Sequence, residues 1–179
     1  MTDMAERTKL WIADKMKDLM KRTPIGKIRV SEICEAAEID RSTFYYHFKD
    51  KYALVAWIFF SSAKGVEVAD PDTAAGHMRQ MKQDMLFYKR ALEDTSQNAL
   101  WQYMLEYFVE ENNAAVKAIL GTDELDAELS FDIRFYCYGA VGMTREWILQ
   151  DSPESAETFV RMTFALMPPA LKEIYYGQS

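Results

Sequence analysis

The sequence predicts an all-α protein, and three observations carry that prediction. Apolar residues recur three and four positions apart almost end to end, the spacing of buried helical faces. Breakers are scarce, with 7 Gly and 5 Pro in 179 residues. Apolar residues make up 49% and charged residues 27%, the balance of a globular chain. The length suits one compact domain or two small ones. About nine helices are expected, grouped as an N-terminal head over 1–64 that includes a linking helix, and a helical body over 65–179.

The first helix is expected from about Ala5 to Met20, with Ile12, Met16, Leu19 and Met20 inward. Lys15, Lys17, Lys21 and Arg22 make its C-terminal half basic. That suits the helix dipole and suits DNA backbone contact equally. Thr23-Pro24-Ile25-Gly26 turns the chain.

Two short helices follow over 28–48, joined by a tight turn. Val30, Ile33 and Ala37 give the first an inner face, Ile39 fills the corner, and Phe44 and Phe48 anchor the second. Asp40 is placed as N-cap, its carboxylate expected to accept from the amides of Ser42 or Thr43. The outer side then carries Arg41, Ser42, Thr43, Tyr45, Tyr46 and His47, little of which a core requires. Hydrogen-bond donors and rings on a short rigid rod fit the major groove of DNA, where base edges offer acceptors and thymine offers a methyl. In a helix-turn-helix the start of the second helix meets the bases. Lys51 opens the next helix, where a cation and free amides can meet a phosphate.

The run Asp40-Arg41-Ser42-Thr43-Phe44-Tyr45-Tyr46-His47-Phe48-Lys49-Asp50-Lys51 resembles the recognition-helix signature of the TetR/AcrR family of bacterial transcriptional regulators. The likeness extends over roughly residues 6 to 60. It implies a homodimeric, two-fold symmetric, all-helical DNA-binding repressor. It also implies a C-terminal domain that dimerises and often binds a small effector. Two positions depart from the pattern. Glu38 stands where the turn usually has Gly, at a cost of roughly 1 kcal/mol if the backbone is left-handed. Arg29 stands where Thr or Ser usually caps the first helix of the motif, which removes a cap but places a cation near a phosphate position. The DNA-binding set is thus Arg29, Ser31, Arg41, Ser42, Thr43, Tyr45, Tyr46, His47 and Lys51, acting on a palindromic operator.

The helix from Lys51 through Phe60 is apolar nearly all round and must be buried on several sides. Gly65 to Asp72 reads as a joint, with Asp70-Pro71 starting a helix. One face of that helix carries Met78, Met81, Met85 and Tyr88 or Leu92, up to a break near 93–96. The next helix is expected from about Asn98 to Leu120, stopped by Gly121. Another runs from about Asp123 to Gln150, with Gly139 and Gly142 in its middle suggesting close approach of another helix. A last helix starts at Ser152-Pro153 and is stopped or kinked at Pro168-Pro169.

These last helices are apolar on more faces than one core needs. In the family the corresponding pair forms a four-helix bundle across the two-fold axis. The resemblance therefore places the dimer interface on Phe131, Gly139, Gly142, Met143, Trp147, Phe159, Met162 and Leu166. Residues 74–150 are rich in Met and aromatic side chains, which suit an adaptable apolar pocket or an ordinary core equally. The expected pocket for a small apolar effector comprises Met85, Tyr88, Trp101, Met104, Phe108, Phe135 and Tyr138. The stretch Phe135 to Ile148 is similar to the shorter Firmicutes-type C-terminal domain of the family, found in regulators of dihydroxyacetone kinase operons. Some of that group imply a protein partner instead of a small ligand.

Net charge is −7 overall, but residues 1–64 hold 12 Lys+Arg against 9 Asp+Glu, while 65–179 hold 9 against 19. The positive end is the expected reading head, and binding should be salt-sensitive. The only histidines are His47 and His77, without ligand spacing for a metal, so no metal or cofactor is expected. No phosphate loop, dinucleotide fingerprint or nucleophile set is present, so no enzyme is expected. Two distant cysteines, no apolar leader and no long apolar run suggest a cytoplasmic protein without membrane contact.

Overall fold

The computed structural model describes residues 4–96 and 99–177. Among them it holds ten α-helices and one 3-10 turn, with no strand. The helices are α1 (Met4–Met20), α2 (Val30–Ala37), α3 (Arg41–His47), α4 (Lys51–Ala63), α5 (Pro71–Gln83), α6 (Met85–Leu92), α7 (Leu100–Leu120), α8 (Ala127–Leu149), α9 (Ala156–Ala165) and α10 (Pro169–Tyr176). The expected helix start at Asn98 lies outside the described residues.

The described residues form two compact units. One comprises residues up to Lys64 together with Asp84 to Leu100, and the other comprises Gly65–Gln83 with the chain from Trp101 onward. The segment 84–100, assigned to the body from sequence, thus packs with the head.

In the first unit α1 is the hub, touching α2, α3, α4 and α6. Ile12, Met16 and Met20 are wholly buried, as the helical spacing requires, and Leu19 is half-buried. The Trp11 indole N–H donates to the Ala37 carbonyl at 2.9 Å, tying α1 to the end of α2. The buried face of α2 is Ile33, Cys34 and Ala37, with Val30 only half-buried. In α4, Leu54, Val55, Ala56, Ile58 and Phe59 are buried, and Asp50 caps the helix by accepting the Ala53 amide at 2.8 Å. α6 buries Phe87, Tyr88 and Leu92, and the Tyr88 hydroxyl meets Ser62 Oγ at 2.9 Å.

The single helix expected over 70–92 is broken at Asp84, whose φ of −100° and ψ of 29° are not helical. The reason is packing. Ala75, His77, Met78 and Met81 of α5 are buried in one unit, and Phe87, Tyr88 and Leu92 of α6 in the other. The continuous Met stripe serves two cores and cannot remain one straight face.

In the second unit α7, α8 and α10 enclose a core of Leu105, Val109, Val116, Ile133, Cys137, Met167 and Leu171. Asn112 links them, its amide donating to the Phe108 carbonyl at 2.8 Å and its oxygen accepting from the Tyr175 hydroxyl at 2.8 Å. α5 packs along α9. Lys82 of α5 lies 4.4 Å from the Trp147 ring centre and donates to the Glu154 carbonyl at 3.0 Å. α8 starts at Ala127, capped by Asp126, four residues later than expected. α9 starts at Ala156, capped by Ser155 instead of Ser152. Ser152 is already committed, since its amide closes the end of α8 on the Trp147 carbonyl at 3.2 Å. Pro168-Pro169 ends one helix and opens another, α10.

Candidate nucleic-acid interface and effector cavity

α3 is seven residues long and has two unlike sides. Phe44 is wholly buried and Phe48 nearly so, with ring centres 5.9 Å apart, and Phe48 packs edge-on against Trp57 at 5.7 Å. Those contacts fix the roll of the helix. The opposite side presents Arg41, Ser42, Tyr45 and Tyr46, with Tyr46 81% exposed. Thr43 and His47 are half-buried, and the His47 ring lies 4.9 Å from that of Tyr46.

The turn before α3 is strained as its sequence foretells. Glu38 has φ 54° and ψ 44°, the left-handed region that glycine occupies without penalty. Asp40 stands at the N-cap with extended backbone, but its side chain makes no capping bond, which corrects the expected contact with Ser42 or Thr43.

At the start of α2, Arg29 occupies the N-cap and has no side-chain acceptor to offer the helix amides. Half of a capping box remains, as the Arg29 amide donates to Glu32 Oε2 at 2.8 Å. That backbone bond is the main reason the Glu32 carboxyl is held below the usual range. Arg29 and Ser31 are both exposed beside the free first-turn amides. Arg29, Arg41, Tyr45 and Lys51 line one open depression of about 380 Å³, together with Ile28, Val30, Asp50 and Tyr52. Three cationic side chains from three elements thus meet on one surface.

Lys51, expected to meet a phosphate, is bonded within the head. Its ammonium donates to the carbonyls of Ile28 at 2.7 Å and Gly26 at 3.1 Å. Burial pulls its pKa down, opposed by Asp94, Glu32 and Asp50.

The second unit holds a partly open cavity of about 100 Å³. Its walls come from 66–68, α5, α7, α8 and α9, and include His77, Phe108, Asn112, Tyr136, Cys137, Val141, Phe159 and Thr163. Of the seven residues expected to form an effector pocket, Phe108 alone lines this cavity. Met85 and Tyr88 belong to the first unit, and Met104 is buried core. Trp101 packs on the core of the second unit. Phe135 and Tyr138 are 69% and 48% exposed on α8. Periodicity identifies apolar faces but not which of them leaves a gap.

The expected dimer residues fall into two groups. Trp147 and Phe159 are buried and stacked on each other at 5.1 Å, within the unit. Phe131, Gly139, Gly142 and Met143 lie exposed on α8, Met162 on α9 and Leu166 at the C-cap of α9. A Cβ built at either glycine meets nothing within 4 Å, so no described helix of this chain approaches them, and the expected close approach is left to a second copy. With Phe135 and Tyr138 these α8 positions form one continuous apolar stripe. Beside it lies a groove of about 400 Å³ floored by Tyr136, Ala140, Phe159 and Thr163.

Among the described residues no group of His, Cys, Asp and Glu could hold a metal ion, and no helix is long and apolar enough to cross a membrane.

Comparison with known proteins agrees with this geometry. Residues 14–58 match the family model of bacterial regulatory proteins, tetR family, and residues 76–169 match that of a transcriptional regulator C-terminal region. The HTH-type dhaKLM operon transcriptional activator DhaS of Lactococcus lactis subsp. lactis (strain IL1403) is 44% identical over 48 residues. That alignment covers 27% of this chain and spans about a quarter of the relative's length (26%). The solved structure of the dihydroxyacetone kinase operon activator DhaS superposes with a TM-score of 0.63 at 23% identity, over 92% of this chain and 96% of that one. At that identity the likeness speaks for the fold. The C-terminal match covers more than half of the sequence, and the helix-turn-helix match falls on the surface where the cations and rings converge: the chain belongs to the TetR family of bacterial regulatory proteins and is a transcriptional regulator.

Proposed function

We propose that the chain acts in the cytoplasm as a homodimer that reads a palindromic operator with α3, and that a compact, uncharged, largely apolar effector modulates it from the cavity of the second unit. The observation that carries the reading is the two-sidedness of α3. Phe44 and Phe48 hold it by one side while Arg41, Ser42, Tyr45 and Tyr46 stand outward on the other. Arg29, Ser31, Thr43 and His47 complete the contact set.

The exposed stripe from Phe131 to Met143 supports pairing of two copies through α8 and α9. Two heads reading half-sites about 34–36 Å apart gain specificity from symmetry. The cavity walls support the ligand class. The Thr144 and Thr163 hydroxyls donate to their own helix carbonyls and the Asn112 amide is already bonded, so the ionisable groups of a largely apolar wall are the His77 imidazole, the Glu67 carboxylate and the groups of Tyr136 and Cys137.

The family resemblance suggests a repressor released by its effector. The named relatives are activators by name, which favours a second reading in which the bound dimer activates. A reporter gene behind the recovered operator, with and without the protein, separates the two.

Selection of random duplex DNA on the purified protein at two salt concentrations tests the whole reading. A palindromic motif is expected. Recovery of salt-sensitive but sequence-blind DNA alone would overturn it and favour a body that docks on a protein partner. In the same assay Arg41→Ala and Tyr46→Ala should relax discrimination at single operator positions, each by about 1–3 kcal/mol if the side chain reads a base edge. Unchanged preference in both variants would remove α3 as the reader.

A further inference from the structure

We propose that Lys51 is a positioning residue that fixes the start of α2 from within the head, not a phosphate contact. The inference rests on the DNA-reading role proposed above for this surface.

The turn Ile25–Lys27 is held on both flanks, since Ile25 and Ile28 are 3% and 2% exposed. Its 3-10 bonds run from the Lys27 amide to Pro24 O and from the Ile28 amide to Ile25 O. The carbonyls of Gly26 and Ile28 are left facing the first turn of α4, and the Lys51 ammonium reaches both. An ammonium has three hydrogens and no acceptor, so two of its three donors are committed inside the protein. Asp50 caps the same helix start, which holds the lysine stem at a fixed point. The contact spans 23 and 25 positions of sequence and ends one residue before Arg29, the N-cap of α2. Where α2 begins decides where Arg29, Ser31 and the free first-turn amides lie. Lys51 therefore sets the geometry of contacts that other residues make.

A strut and a phosphate contact differ in three readouts, taken on Lys51→Met and Lys51→Arg with the selected operator. Amide exchange of the DNA-free protein comes first. The strut predicts faster exchange at Lys27, Ile28, Glu32 and Ile33 in both variants with α1 unchanged, whereas loss of a phosphate contact leaves exchange as in wild type. The salt dependence of binding comes second. Each neutralised phosphate contributes about 0.9 to the slope of log K against log salt, so loss of one per head would flatten it by about 1.8 for two heads. The strut predicts binding about tenfold weaker at an unchanged slope. Lys51→Arg is the third. A planar guanidinium suits a phosphate but does not reproduce a compact ammonium between two carbonyls, so the strut predicts no rescue.

Unchanged exchange, a flattened slope with Lys51→Met, or full rescue by Arg would each overturn the proposal. If Lys51→Met does not fold, Lys51→Arg decides by exchange and affinity, since its retained charge leaves the slope unchanged on either reading. Wild-type protein that selects no operator would instead overturn the DNA-reading role, and the positioning role with it, whatever the exchange shows.

Discussion

Glu38 is the clearest single-residue cost in the head. Its left-handed backbone closes the turn between α2 and α3, and its own amide bonds back to the Glu35 carbonyl at 3.2 Å. A β-carbon is disfavoured there, while glycine adds freedom to the unfolded chain, so the two effects partly offset. Glu38→Gly should raise stability by about 0.5–1 kcal/mol, read as a higher urea midpoint at unchanged slope. A lower midpoint would show that the strain is relieved elsewhere. This position was legible through the family resemblance, in which the turn usually carries Gly, and the left-handed backbone bears out the condition attached to it. The neighbouring Asp40 was legible only in part. Its place at the helix start is as read, but the carboxylate does not turn back onto the amides, and residue type cannot settle a rotamer.

At the scale of elements, α8 and α9 present more apolar surface than their own unit uses. Phe131 is 68% exposed, Phe135 69% and Leu166 80%, and the rings of Phe131 and Phe135 stack at 6.0 Å. Single exposed apolar residues are ordinary, but a contiguous stripe on adjacent helices marks an interaction surface. On the proposed pairing of two copies through this stripe, Phe135→Glu and Leu166→Glu should leave the fold intact and shift the protein from dimer to monomer in sedimentation equilibrium. Retention of the dimer by both variants would move the interface away from α8 and α9. The apolar periodicity of these helices was legible, and so was the presence of two glycines. Their surroundings were not, because periodicity marks a face without saying which body covers it. The same limit explains the α5–α6 break, where one Met stripe is divided between two cores, and the cavity, whose walls are gathered from stretches up to about a hundred residues apart.

For the molecule as a whole, burial of ionisable groups makes alkaline pH the informative axis. Burial pushes the Tyr88 hydroxyl in the first unit and the Cys137 thiol in the second up to about 12 each. It also drives Tyr136 and Tyr175 upward. Unfolding would return these groups to ordinary values, about 8.5 for Cys and about 10 for Tyr. In each case the folded pKa lies above the unfolded one. The stability tied to the neutral form is then complete below the unfolded value and is lost as pH climbs through the folded one. The urea midpoint should accordingly hold steady to about pH 8.5 and fall between about pH 9 and 12. Tyr88→Phe should flatten that fall at some cost at neutral pH, since the bond to Ser62 is lost, about 1 kcal/mol. Cys137→Ala should delay its onset, because the thiol has the lowest unfolded pKa of the set. Its thiol should also stay unreactive toward alkylating agents at pH 8 until the chain unfolds, as a buried neutral sulfur does. A midpoint that stays flat to pH 12, or fast labelling of Cys137 in native protein, would mean that water reaches these groups in the folded chain.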